Sequence, residues 1–166
     1  MAYAPFHEKF PDIAQKETRT LTVLDLPGLP PGEYGFVEAY CDEPGCDCRR
    51  VFFNVVEWRT QTYKAVIAYG WESRKFYVNW FGRDDPAIIR ELRGPVLNSA
   101  SAQSPVAPAL LKQLGMILKD RQYVERLKRH YAMYRAVIDR EAGHSAPTPT
   151  EAAPPGVHRK LRKRRR

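Results

Sequence analysis

The chain has 166 residues, with 27 Lys+Arg against 19 Asp+Glu for a formal net charge of +8; 43% of it is hydrophobic and 28% charged. Such a composition fits an ordinary soluble protein of one domain with an appended tail, and three cysteines are too few and of the wrong parity for a disulfide scaffold. No run approaches the ~20 apolar residues of a membrane span. The start Met1 to Phe10 lacks the basic opening and apolar core of a secretory signal, so a cytoplasmic location is expected, or a nuclear one if the source is eukaryotic.

Residues 1–18 are mixed in character and are expected to form an irregular N-terminal arm, which Phe6, Phe10 and Ile13 can pin to a core. Thr20 to Leu26 reads as a strand, stopped by the turn sequence Pro27-Gly28-Leu29-Pro30-Pro31-Gly32. Tyr34 to Cys41 is strand-like. In Arg50 to Trp58, Val51, Phe53 and Val55 fall on one face and Phe52, Asn54 and Val56 on the other. Thr62 to Trp71 alternates Tyr63, Ala65, Ile67, Tyr69 and Trp71 against Thr62, Lys64, Val66 and Ala68. Lys75 to Phe81, with Phe76, Val78 and Trp80, is the last strand candidate.

The period then changes. Asp85 is suited to cap a helix, Pro86 to open it and Gly94 to stop it, which frames a short helix over 86–93. A Ser/Ala/Pro-rich loop at 95–107 leads into a long helical pattern ending near Ala142-Gly143. Its apolar stripe is Leu110, Leu114, Ile117, Val124, Leu127, Tyr131, Tyr134 and Ile138, and Gly115 or Leu118-Lys119-Asp120 can break it in two. The charges along it, Lys119, Arg121, Arg126, Lys128, Arg129, Arg135 and Arg140 against Asp120, Glu125 and Asp139, read as a mildly basic solvated face. The expected fold is α+β: an antiparallel four- to five-stranded meander, then C-terminal helices packed on one face, as a single domain over 19–142.

All three cysteines fall within eight residues, Cys41-Asp42-Glu43-Pro44-Gly45-Cys46-Asp47-Cys48. Strand-like segments flank them and Pro44-Gly45 is a turn dipeptide, so they sit at a hairpin tip, where the turning backbone can aim three sulfurs at one point. Thiolates so placed suit a tetrahedral Zn²⁺. The spacing C-x4-C-x-C lacks a local fourth ligand. Of the histidines His7, His130, His144 and His158, only His130 lies inside the long helical pattern, beside the apolar stripe. The expected site is therefore a structural Zn²⁺ held by Cys41, Cys46, Cys48 and His130, stapling the hairpin to the long helix. The alternatives for the fourth place are Asp42, Asp47 or water, and for His130 a helix histidine bonded to a nearby carboxylate or carbonyl.

The last eight residues carry seven cations: Arg159, Lys160, Arg162, Lys163, Arg164, Arg165 and Arg166. Taking those seven and Glu151 away leaves 20 basic and 18 acidic residues in 1–142, a net charge of +2, so the excess belongs to the tail. Pro147, Pro149, Pro154 and Pro155 among small residues cannot bury enough apolar area to offset chain entropy, and 143–166 is expected to be a disordered linker and basic tail. Clustered cations give salt-dependent, sequence-tolerant affinity for RNA or DNA.

No G-x-S-x-G, phosphate-cradling glycine loop, G-x-G-x-x-G or H-E-x-x-H is present. Asp84-Asp85 reads as helix capping, and a Cys48–His130 nucleophile and base would compete with the metal for the same atoms. Tyr77 and Phe81 with Lys64, Arg74 and Lys75 would make an aromatic and basic surface able to stack bases. The leading expectation is a small non-enzymatic zinc protein associated with nucleic acid through its tail. The rivals are a protein-interaction or accessory domain with an incidental tail and, behind it, a thiol- or metal-dependent enzyme.

Overall fold

In chain order the elements are β1 (Tyr3–Pro5), α1 (Phe6–Lys9), α2 (Pro11–Glu17), β2 (Arg19–Val23), β3 (Gly32–Cys41), β4 (Arg50–Glu57), β5 (Thr62–Gly70), α3 (Arg74–Phe81), α4 (Pro86–Arg93), β6 (Val96–Leu97), α5 (Ala107–Ile117) and α6 (Arg121–Glu141). They come from a computed structural model, which describes residues 2–143. The seven tail cations and the linker before them lie outside the described residues.

β3, β4, β5 and β6 pair antiparallel in succession, while β1 and β2 both pair with the free edge of β3, giving six strands. The register sets Phe36 opposite Val55 and Val55 opposite Ala65, with Phe53 opposite Ile67. Period-two alternation carries these residues and Val51 to one face, where each is almost completely buried. That face meets α5 and α6 through Leu110, Leu114, Tyr123, Leu127 and Tyr134. The fold is thus an α+β sheet with C-terminal helices on one side. Its two extra strands, β1 and β6, have three and two residues, too short to show as alternation.

Both expected helix boundaries hold. Asp85 accepts hydrogen bonds from the Ala87 and Ile88 amides with Pro86 in the first turn, and Gly94 ends α4. The long stripe breaks at Leu118-Lys119-Asp120, where the Asp120 carboxylate accepts the Gln122 amide at 2.9 Å to start α6. The arm, expected to be irregular, is instead built from β1, α1 and α2, with Phe6 buried.

Lys75 to Phe81 is not a strand but helix α3. Ser73 caps it by accepting the Phe76 amide, and Gly82 ends it at φ 80°. β5 takes β6 as its neighbour instead, at Ile67 and Ala68. Tyr77 becomes its buried residue, and with Ile89 and Leu92 it makes a second small core against the end of β5. Gly70 allows that close approach, because a Cβ there would lie 2.3 Å from the Tyr77 hydroxyl and 2.5 Å from the Leu92 carbonyl oxygen. The expected base-stacking surface falls with the strand: Tyr77 is fully buried, and Arg74 is paired with Asp84.

Candidate metal centre

Cys41 is the last residue of β3, and Cys46 and Cys48 lie in the loop that turns into β4. The turn is made by the Cys46 amide donating to the Glu43 carbonyl at 3.2 Å and by Gly45 at φ 72°. It brings the three sulfurs within 4.8 Å of one another. Thiolates at ~2.3 Å from a tetrahedral zinc stand about 3.8 Å apart, so small side-chain adjustments suffice. Cys41 and Cys48 have no exposure, and Cys46 is half-buried.

α6 holds this loop by its backbone. Arg135 donates to the Cys41 carbonyl at 2.8 Å, and Asp139 accepts the Gly45 amide at 2.8 Å while pairing with Arg135 at 2.6 Å. The Tyr131 hydroxyl accepts the Arg49 amide at 3.2 Å and donates to the Cys46 carbonyl at 3.4 Å. From α3, the Tyr77 hydroxyl donates to the Arg49 carbonyl at 2.8 Å, holding a residue at φ 48°. The Tyr3 hydroxyl of β1 donates to Cys48 Sγ at 3.9 Å. Three elements therefore hold the loop that carries the sulfurs.

The protons follow from this crowding. The hydrogen bond from Cys48 outweighs burial and, helped by the Glu43 amide and Arg135, lowers the Cys41 thiol to about 6. The same bond, with burial, pushes Cys48 far up, and burial together with Cys41 raises Cys46. The cluster holds one thiolate easily and resists a second and third, because like charges repel in a buried place. A dication held by Cys41, Cys46 and Cys48 would favour the thiolate form of all three. The donor set fits a thiophilic metal ion.

His130 is not part of it. Its Nδ1 stands 2.7 Å from Glu38 Oε2, and its Nε2 stands 2.6 Å from Glu17 Oε2. Phe6 stacks on the ring at 4.4 Å. With a carboxylate at each nitrogen, the ring is a hydrogen-bonding hub that ties α2, β3 and α6 together. The expected fourth ligand is corrected accordingly, and so is the conceivable Cys48–His130 dyad. Among the described residues, Cys41, Cys46 and Cys48 are the one group of three or more His, Cys, Asp or Glu donors close enough to share an ion. Asp85 caps a helix and Asp84 pairs with Arg74, so that acidic pair is structural.

The residues that sequence reasoning missed are Tyr131, Arg135 and Asp139. Their i, i+4 spacing puts them on one ridge of α6. Arg135 was expected on a solvated face but is 7% exposed, its guanidinium spent on the Cys41 carbonyl and Asp139. Only the spacing itself could have pointed to them.

Glu17 supplies a pH-dependent test of the hub. Burial works to raise its carboxyl, but the His130 hydrogen bond and the Arg129 charge outweigh that and hold it below its ordinary 4.5. A depressed carboxylate stabilises the fold above the unfolded value and loses that contribution as pH falls through the folded one. Glu17→Gln should therefore melt below the parent at neutral pH, and the difference should close in acid, below about 4.5. Melting temperature against pH for the two proteins reads this out.

In comparisons with known proteins, the chain matches no protein family, no curated protein and no solved structure. Among the described residues no helix is long and apolar enough to cross a membrane.

Proposed function

We propose that this is a small zinc-stapled α+β protein that associates with nucleic acid through its basic tail and carries no catalytic site. The observation behind the zinc reading is the meeting of the three cysteine sulfurs within 4.8 Å, on a loop held by α6 and α3 at its backbone and by Tyr3 of β1 at Cys48. Zinc favours thiolates and has no geometric demand beyond four ligands, and a structural ion adds its binding energy to folding. It would be held by Cys41, Cys46 and Cys48, locking the hairpin tip onto α6. Stoichiometric zinc in the purified protein, removable by a chelator with a fall in melting temperature, is the expected result. Protein that is metal-free yet equally stable refutes it.

The nucleic-acid reading rests on the sequence: seven cations in the last eight residues, beside a folded part that is close to neutral. If all seven contact phosphates, log affinity for duplex DNA should fall with log salt at a slope of up to about −6. Deleting 158–166 should remove most of the affinity and flatten that slope, as measured by fluorescence anisotropy over a salt series. Equal, weak binding by both proteins at low salt defeats the reading.

A protein partner is the second reading, and a groove of about 730 Å³ on the sheet face away from α5 and α6 favours it. Val37, Val56, Trp58 and Tyr63 line it with Pro11, and Tyr63 is 72% exposed. The deletion separates the two, since partner binding in the groove survives loss of 158–166.

A further inference from the structure

Resting on that zinc reading, we infer that the fourth coordination position is open to an exogenous neutral donor, a water or an imidazole-type nitrogen, at the side of Cys46. Cys41 and Cys48 are fully buried and Cys46 is half-buried, so the described part of the cluster meets solvent at Cys46. The polar groups nearest the other two cysteines and the loop backbone already have partners. The Tyr3 hydroxyl lies on Cys48, Arg135 on the Cys41 carbonyl, and Tyr131 between the Cys46 carbonyl and the Arg49 amide. Both oxygens of Asp47 hold the Arg49 guanidinium, which also meets Glu72, and Asp139 takes Arg135 and the Gly45 amide, while Asp42 and Glu43 are not in the group of donors that comes together at the sulfurs.

Charge then selects the donor. Three thiolates on a dication leave a net single negative charge. A fourth anion would double it in a partly buried place, where Arg49 and Arg135 are already balanced by Asp47, Glu72 and Asp139. A neutral nitrogen or oxygen donor adds no charge. Three protein ligands with an exchangeable fourth position is the arrangement that lets zinc take up a small molecule, whereas a purely structural ion is closed by four. The centre would therefore bind as well as staple.

Cobalt(II) in place of zinc in the full chain makes the fourth ligand visible. Thiolate-to-cobalt charge transfer and strong ligand-field bands report binding at the cysteines; their absence defeats the metal reading itself. With cobalt in place, added imidazole should shift the ligand-field bands saturably, and azide should do so only at higher concentration. Bands unmoved by imidazole overturn the open position, the more so if His144→Ala makes them responsive, since the chain would then close its own site. Azide competing as readily as imidazole overturns the preference for a neutral donor.

Discussion

Cys48→Ser should lose stoichiometric zinc and with it a large part of the stability of the fold. A ligand present at a thousand times its dissociation constant stabilises the folded state by about 4 kcal/mol, and domains of this size have roughly 5–15 kcal/mol in all. Zinc-finger peptides gain on the order of 10 kcal/mol from their ion, but they have almost no core of their own. Here Phe36, Phe53, Ile67, Leu110, Leu114 and Leu127 are fully buried without a metal, so the variant should still fold, at a much lower melting temperature. Chelation should bring the parent down to meet it. Thermal melts with and without chelator, together with metal analysis, check this. If Cys48→Ser melts with the parent in the presence of zinc, the sulfurs are an ordinary buried cluster.

The other large effect is expected at His130. Glu38 is 4% exposed, and its Oε2 is held by His130 and by the Tyr40 hydroxyl at 2.7 Å. Its Oε1 has no hydrogen-bond partner among the described residues. His130→Leu removes the ring nitrogen that Glu38 Oε2 meets at 2.7 Å and leaves this buried carboxyl group with the Tyr40 hydroxyl. Leaving a buried polar group without such a partner costs about 1–3 kcal/mol, and the cavity left by the smaller, differently shaped side chain adds to it. Glu17, which is 29% exposed on its side chain, can turn to water and adds little to that loss. Glu38→Gln should cost less in His130→Leu than in the parent, because the hydrogen bond the two side chains share is already gone. Urea unfolding of His130→Leu, Glu38→Gln and the double variant measures this, and additive losses would show that the pair is not coupled. Zinc content of His130→Leu should equal that of the parent, which separates the hub from the metal centre.

Features governed by near neighbours were legible in the chain. Val51, Phe53 and Val55 announced a buried strand face by alternation, and Asp85-Pro86 with Gly94 framed a helix, because caps and pleats are set within a few residues. Lys75 to Phe81 misled because Phe76, Val78 and Trp80 alternate as a strand would. Ser73 and Gly82, a cap and a left-handed stop, were the better guide. The cysteines belong to the legible group, since eight residues around one turn bring their sulfurs together.

Features that depend on which element crosses which were not legible. His130 meets carboxylates 92 and 113 residues away, and Arg135 reaches a carbonyl 94 residues away. The stripe of α6 placed His130 beside the core, but not which end of the sheet it would face. That was decided by α2 and β3 bringing Glu17 and Glu38 to the ring, while Tyr131, Arg135 and Asp139 fell at the cysteine loop. Local pattern was enough for an α+β chain with three thiols at one turn and a charge excess confined to its last eight residues. That the thiols stand apart from His130 follows from the packing of α6 against α2 and β3. Contact between distant residues is chosen by how helix and sheet pack together, and local pattern carries no record of that choice.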